Sequence, residues 1–132
     1  MIKEMKGWKV IRSSDYYSCG NPLNQHRVRY LEGKITKPTL KDSKLFFFAK
    51  KEDADRFVGE SGLGRFVGES GLGYFFVPCI AYNCSKIKYV CEGISGLGKF
   101  WKLKKQKKST KPIYTIPAPK GTWIAESIGI CF

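Results

Sequence analysis

Five consecutive apolar residues within KLFFFAK, residues 44–50, constrain the fold of this chain more than any other segment. Side chains of a strand point alternately to opposite faces, so an apolar run without polar positions fits a strand that is covered on both faces. The segment therefore predicts a central strand of a sheet.

The residues after this run change to a helical pattern. Acids come first, and Ala54, Phe57 and Val58 then recur at i, i+3 and i+4, which places them on one face of a helix. Acids in the first turn complement the positive end of the helix dipole. We predict a helix from about Lys50 to Val58, with Gly59 as a suitable residue for its C-terminal end.

Several other segments alternate polar and apolar residues or run apolar between prolines, which is typical of strands. The predicted strands lie in residues 6–13, 26–33, 74–84 and 86–92 and in the Pro-bounded segment from residue 112 onward. Residues 99–111, KFWKLKKQKKSTK, fit either a short basic helix or a strand that runs into a charged loop. Together these patterns predict a single α+β domain, residues 1–132, of mostly antiparallel β-sheet with one or two helices.

A nine-residue repeat, RFVGESGLG, occurs twice in succession over residues 56–73, and a weaker echo, GISGLGKF, spans residues 93–100. Glycine-rich loops can bring backbone N–H groups to a phosphate, but neither the G-x-G-x-x-G order nor a following G-K-[ST] is present. A surface connector tolerates a tandem copy most easily, since added loop length has a small entropic cost. Residues 59–73 are therefore interpreted as a duplicated loop, with a phosphate cradle and an extended helix as alternatives.

The net charge of +13 is the strongest indication of function. It is unevenly spread, because residues 1–50 carry +7, residues 51–85 carry −2 and residues 86–132 carry +8. Such a balance favours an anionic partner, which could be a nucleic acid, a nucleotide, a phosphate or an acidic protein. A basic surface that only maintains solubility is the plainer alternative.

Other function classes find little support in the sequence. The five cysteines form no C-x-x-C clip and His26 is the only histidine, so we expect no metal site, no cofactor, and reduced cysteines that pack as small apolar residues. No acid, base and nucleophile can be assembled into a catalytic set, so we do not expect an enzyme. The chain shows neither a membrane span nor a signal-peptide core, which leads us to expect a cytosolic protein.

Recognition of an anionic ligand is better supported. Alternation within residues 26–33 places Arg27 and Arg29 side by side on the polar face of one strand. Guanidinium groups clamp phosphates in a bidentate manner, aromatic side chains stack on bases, and Asn83 can read a purine edge with both its donor and its acceptor. Core packing is the plainer interpretation of each aromatic residue, and a solvated basic face is the plainer one for residues 99–111.

The linear order of these motifs resembles a known family. A WKVIR strand is followed by RVRY-x-EGK-x-x-KP, by KLFFFAKKEDADRF, by an apolar strand that ends at Asn83, and by PAPKGT before the last strand. In size, basicity and layout the chain is similar to the type I Thoeris anti-defence proteins of phages, which sequester immune cyclic nucleotides. The likeness spans most of the chain and implies a protein that binds without catalysis in the cytoplasm of an infected bacterial host.

The resemblance also implies ligands and site residues. It implies a homo-oligomer, a dimer building to a hexamer, that holds cyclic ADP-ribose isomers, and in some members cyclic oligonucleotides, at subunit boundaries. The residues implied for the cyclic ADP-ribose pocket are Arg56, Phe75 or Phe76, and Asn83, with Arg65 as a possible equivalent of Arg56 through the duplication. The residues implied for cyclic-oligonucleotide phosphates are Arg27 or Arg29 with Lys120, a position where arginine would clamp phosphate better.

Two other functions stay open on the sequence alone. The C-terminal third, with its charge of +8, could bind DNA or RNA through phosphate contacts that weaken steeply with salt. The basic surface could instead dock on an acidic host protein as an inhibitor.

Overall fold

A computed structural model describes residues 1–12, 16–18, 28–40, 42–60, 74–91, 96–109 and 115–131 of the chain. Within these ranges the strands are β1 (Ile2–Arg12), β2 (Ile35–Thr36), β3 (Leu45–Phe48), β4 (Tyr74–Lys86), β5 (Tyr89–Cys91), β6 (Thr115–Pro117) and β7 (Thr122–Ile130). The helices are α1 (Lys51–Glu60) and α2 (Leu97–Lys105). The predicted α+β class, a mostly antiparallel sheet with two helices in one small domain, is confirmed.

Five of the strands form one antiparallel sheet in the order β2-β7-β3-β1-β4. β7 pairs with β4 along one edge and with β3 and β2 along the other. Because β1 pairs with both β3 and β4, strands β1, β4, β7 and β3 close into a ring. Closure gives backbone partners to both edges of these strands. β5 and β6 form a separate two-stranded ribbon.

β3 is covered on both faces, as its apolar run predicts. All four of its residues are buried, and they divide between two cores. Phe46 and Phe48 belong to a helix-side core, which lies between the sheet and the two helices. Leu45 and Phe47 belong to a sheet core, which is built from β1, β4, β7 and residues 28–30.

The predicted helix is confirmed as α1, but its predicted end is wrong. The helix continues through Gly59 to Glu60, so Gly59 lies inside it. Phe57 packs on Phe48, with 5.3 Å between the ring centroids, and Ala54 is fully buried in the same core. This packing stabilises the last turns, and one glycine inside a helix costs only about 1 kcal/mol.

The strand predicted over residues 26–33 is wrong for its described part, residues 28–33, where Arg29 forms only an isolated bridge with Tyr17. The predicted alternation is nevertheless present, because Val28 and Tyr30 are buried and Arg29 is exposed. Val28 and Tyr30 therefore pack into the sheet core from a loop, and their burial does not require pairing in a strand.

Two further segments are settled by the structure. The strand predicted over residues 86–92 is divided, because Lys86 ends β4 and only Tyr89–Cys91 forms β5. For residues 99–111 the helical alternative is confirmed as far as Lys105, where α2 ends after burying Leu97, Phe100 and Trp101, and residues 110 and 111 lie outside the described residues. Most of the duplicated segment, residues 61–73, lies outside the described residues.

The cysteines that the structure describes are not joined by disulfide bonds. Cys79, Cys84 and Cys91 are buried, which agrees with their predicted role as small apolar residues, whereas Cys131 is exposed. Burial raises the pKa of the Cys79 thiol to about 12, so this group stays protonated near neutral pH.

Candidate anion-binding site

A cavity of about 530 Å³ opens where the start of α1, the β4–β5 turn and the β6–β7 turn meet. Four lysines from these elements line it, namely Lys50, Lys86, Lys88 and Lys120, and Asp53 contributes a carboxylate. We call this site the lysine cavity. The fold thus gathers cations from three segments that are distant in sequence, which concentrates positive charge at one opening.

The β6–β7 turn fixes the position of Lys120 at the cavity. Thr122 donates twice to the carbonyl oxygen of Pro119, from its backbone nitrogen at 3.1 Å and from Oγ1 at 2.6 Å. Gly121 has a φ of +81° and lies so close to Asp53 that a Cβ atom there would overlap the carboxylate. The turn is therefore held against α1, and Lys120 is exposed beside this contact.

The charge of Asp53 is already compensated by an arginine of the same helix. Arg56 Nη1 donates to Asp53 Oδ1 at 2.9 Å, one turn further along α1. The side chain of Asp53 is 10% exposed, whereas that of Arg56 is 39% exposed. No carboxylate in the described part of the chain forms an ion pair with any of the four cavity lysines. Their charge is therefore left for a ligand.

Trp123 gives the lysine cavity an aromatic wall. Its half-buried indole packs against Phe47, with 6.4 Å between ring centroids, and Lys86 Nζ lies 5.6 Å from the indole centroid. Planar apolar surface next to ammonium groups is suited to a ligand that combines a base with a phosphate.

Arg56 and Lys120 come into one neighbourhood, although the resemblance implies different ligands for them. Asp53 joins them, because it pairs with Arg56 and packs on Gly121, the residue after Lys120. The structure therefore places both side chains on one cationic surface within a single chain.

Phe75 and Phe76 contact different cores and do not form one surface. Phe75 lies 5.9 Å from the ring of Tyr16, and Phe76 lies 5.9 Å from the ring of Trp8. Asn83 is seven residues beyond Phe76 on the same strand, roughly 23 Å at the rise of a strand. Within one chain, Asn83 is therefore distant from the two phenylalanines with which the resemblance groups it.

Asn83 has a structural role in β4. Its φ is 56°, a left-handed conformation that asparagine tolerates better than most residues. Its Nδ2 donates to Glu126 Oε2 at 2.9 Å, and Lys44 Nζ donates to the other oxygen of this carboxylate at 3.1 Å. Ala81 and Cys84 are three positions apart, which in a regular strand would place them on opposite faces, yet both are buried in the sheet core. Asn83 therefore shifts the alternation of faces between them.

The remaining predicted residues are not at the lysine cavity or are not described. Arg29 is exposed on the bridge to Tyr17 and does not line the cavity that holds Lys120. Arg27 and Arg65 lie outside the described residues. Of the residues implied for cyclic-oligonucleotide phosphates, the described structure thus places only Lys120 in the lysine cavity.

Sequence reasoning missed Lys50, Lys86 and Lys88. Each lies beside the end of a helix or strand, and single lysines at such places look like ordinary solvated residues. A weak signal was present in Lys86-Ile87-Lys88, where two cations flank one buried residue at the end of a long strand. Only the closure of the sheet shows that this pair faces Lys120.

Comparison with protein-family models, with curated proteins and with solved structures finds no match for this chain. Over the described ranges, no helix has the length and apolar character needed to cross a membrane. The same ranges contain no group of three or more His, Cys, Asp or Glu side chains placed to hold a metal ion.

Proposed function

We propose that the protein binds a phosphate-bearing nucleotide in the lysine cavity and holds it without cleaving it. The observation that carries this proposal is a set of four lysines around a cavity whose carboxylate, Asp53, is already paired with Arg56. Each ammonium group can donate three hydrogen bonds to phosphate oxygens, and clustered cations raise the local concentration of an anionic ligand.

A nucleotide also fits the size and the other lining of the cavity. Its volume of about 530 Å³ lies within the range of small-molecule pockets. Trp123 supplies an indole against which a base can stack, and Ile87 and Ala118 supply apolar contacts. The cations and the aromatic surface together match the two halves of a nucleotide.

The reactive groups of the cavity have other partners, which favours retention of an intact ligand over its cleavage. Thr122 Oγ1 donates to the carbonyl oxygen of Pro119 at 2.6 Å. The Asp53 carboxylate accepts from Arg56 at 2.9 Å. A hydroxyl nucleophile needs a base that takes its proton, and here the hydroxyl and the carboxylate are each engaged elsewhere.

Among nucleotides, the resemblance to the type I Thoeris anti-defence proteins favours immune cyclic nucleotides. A cyclic ADP-ribose isomer carries a pyrophosphate, which suits clustered lysines, and an adenine, which suits an indole. Cyclic oligonucleotides offer the same two chemistries. We therefore propose a sponge that sequesters such a signal in the cytoplasm of an infected bacterium.

A homo-oligomer is part of this proposal. The resemblance groups Asn83 with Phe75 or Phe76 in one pocket, and because Asn83 lies roughly 23 Å along β4 from Phe76, that grouping requires two copies of the chain. A pocket at a subunit boundary meets that requirement. Light scattering during size-exclusion chromatography tests it, and a monomer with and without ligand would contradict a shared pocket.

The direct test starts with incubation of the purified protein with cyclic ADP-ribose isomers or cyclic tri-adenylate. Unbound ligand is removed, the protein is denatured by heat, and mass spectrometry identifies the released molecule. We expect intact ligand; converted ligand would indicate an enzyme, and no retained ligand would contradict the proposal. The Lys86→Ala/Lys88→Ala variant should lose retention, whereas Lys34→Ala, exposed in the turn before β2, should keep it.

Nucleic-acid binding is the second candidate function, and α2 supplies the observation that favours it. The helix has no acid in its first turn and buries one apolar face, which leaves Lys99 and Lys102 exposed on the other side. A gel shift on DNA or RNA that weakens steeply with salt would support this candidate. The Lys99→Glu/Lys102→Glu variant should abolish that shift while it keeps any ligand retained in the lysine cavity.

A further inference from the structure

A second cavity, of about 590 Å³, lies at the C-terminal end of α2. Its lining includes Trp101 and Lys104 of α2, Lys107 after the helix, and Ile124 and Ser85 of the sheet. We call it the indole cavity. Ser85 and Ile124 are the chain neighbours of Lys86 and Trp123, which line the lysine cavity, so the two cavities lie on opposite faces of the β4–β7 pair.

Trp101 lines the indole cavity and carries an unused hydrogen-bond donor. The residue is only 1% exposed and packs between Phe46 and Phe100, at 5.9 Å and 5.0 Å between ring centroids. Its Nε1 is buried and has no hydrogen-bond partner within the described structure. Buried donors in native proteins are nearly always satisfied, so the unsatisfied N–H of a residue that lines a cavity would be explained by an acceptor bound there.

The cations of the indole cavity are only partly compensated. Lys44 pairs with Glu126 at 3.1 Å and Lys105 pairs with Asp42 at 2.8 Å. Lys104 and Lys107 make no such pair with a described carboxylate. Lys104 is half-buried, and this burial lowers the pKa of its ammonium group, as expected for a cation that lacks a counter-ion.

We propose that the indole cavity is a second binding site, for a small ligand with a phosphate or carboxylate head on a ring-sized apolar body. Lys104, Lys107 and the Trp101 N–H donate to the anionic head, because within the described residues the lysines make no ion pair and the indole N–H has no hydrogen-bond partner. Ile124 and the ring of Trp101, which line the cavity, contact the apolar body. One bound ligand would accept a hydrogen bond from the indole N–H and also compensate the charge of the two lysines.

The test uses the three tryptophans of the chain as local reporters. The indole N–H resonances of protein labelled with ¹⁵N-tryptophan are followed by NMR during titration with phenyl phosphate, benzoate and inorganic phosphate. Trp101 reports on the indole cavity, Trp123 on the lysine cavity, and Trp8 on neither. We expect a saturable shift of the Trp101 resonance with phenyl phosphate or benzoate, and at least about tenfold weaker binding of inorganic phosphate, which lacks the ring.

Variants of α2 decide whether the cavity is responsible. Lys104→Met keeps the length of the side chain but removes its charge, and we expect about tenfold weaker binding. Lys102→Ala, exposed on the same helix and absent from the lining, should bind normally. No shift of Trp101, equal weakening by both variants, or equal binding of inorganic phosphate and the ring compounds would each overturn the proposal.

The two proposed sites fail independently. A shift of Trp123 alone would place the probe in the lysine cavity and overturn the indole site, while it leaves the proposed function intact. A saturable Trp101 shift in a protein that retains no cyclic nucleotide would support the indole site and contradict the proposed function.

Discussion

The carboxylate of Asp53 lies directly against the α-carbon of Gly121 and joins the first turn of α1 to the β6–β7 turn. Asp53 is also paired with Arg56, so one buried acid connects a helix, a turn and an exposed guanidinium group. The position of Lys120 depends on this arrangement, because the turn that carries Lys120 cannot move away from α1 without exposing Asp53. The geometry of the lysine cavity therefore depends on a contact that involves no cavity lysine.

Gly121→Ala should destabilise the protein strongly. The residue has a φ of +81°, and a methyl group would overlap the Asp53 carboxylate. Backbone strain and the displaced carboxylate together should cost about 2–4 kcal/mol of the free energy of unfolding. Urea denaturation followed by circular dichroism measures this loss.

Gly33→Ala is the matched control for this substitution. Gly33 has a similar φ of +77°, but nothing lies within 4 Å of the position of its Cβ. We therefore expect only the backbone cost, about 1 kcal/mol. Equal losses for the two variants would show that the contact between Asp53 and Gly121 does not hold the turn.

The sequence predicted a helix or strand correctly where its pattern of buried residues depends on that segment alone. The apolar run of β3 predicted coverage on both faces, and the spacing of Ala54, Phe57 and Val58 predicted α1, because each pattern depends only on its own segment. Gly59 misled the prediction of the helix end, since tertiary packing of Phe57 on Phe48 outweighs the cost of one glycine. Local propensity could not show that packing.

The candidate site was less predictable because it depends on sheet closure. Lys86 and Lys120 are distant in sequence, and they meet only because β4 pairs with β7. Asn83 offered an amide that suggested base recognition, but its left-handed backbone and its bond to Glu126 give it a structural role. A sequence shows which groups are present, whereas partners made by long-range pairing decide which of them are left for a ligand.

Glu126 should make stability depend on acid pH. The hydrogen bond and charge of Lys44 lower the pKa of this carboxyl below its ordinary value of 4.5. A folded-state pKa below the unfolded one means that the contribution is complete above pH 4.5 and is lost as the pH falls through the folded-state pKa. Because both side chains are partly exposed, the contribution should stay below about 1 kcal/mol.

The measurement compares the free energy of unfolding of the wild type and of Glu126→Gln from about pH 7 to about pH 3. The difference between them should shrink as the pH falls, and Lys44→Met should show the same trend. A difference that does not change with pH would mean that the pairing of Lys44 with Glu126 adds nothing to stability.

The cysteines should differ widely in reactivity. Cys131 is exposed, whereas Cys79 is buried and its thiol has a pKa of about 12, so little reactive thiolate forms there. Iodoacetamide added to the native protein should label Cys131 well before Cys79, as peptide mass spectrometry would show. In guanidinium chloride the two should react alike, and equal labelling in the native state would contradict the buried position of Cys79.

Lys120 should set the strength of phosphate binding in the lysine cavity. We expect Lys120→Ala to weaken retention of a cyclic nucleotide about tenfold, since one charge-assisted contact is lost. Lys120→Arg should keep or strengthen binding, because a guanidinium group clamps phosphate with two parallel hydrogen bonds. Equilibrium dialysis at two salt concentrations measures both effects, and the loss caused by Lys120→Ala should be smaller at the higher salt.

Lys34→Ala and Lys34→Arg serve as controls on an exposed lysine outside the cavity, and they should leave the affinity unchanged. If Lys120→Ala binds as tightly as these controls, the ligand phosphate does not contact the β6–β7 turn.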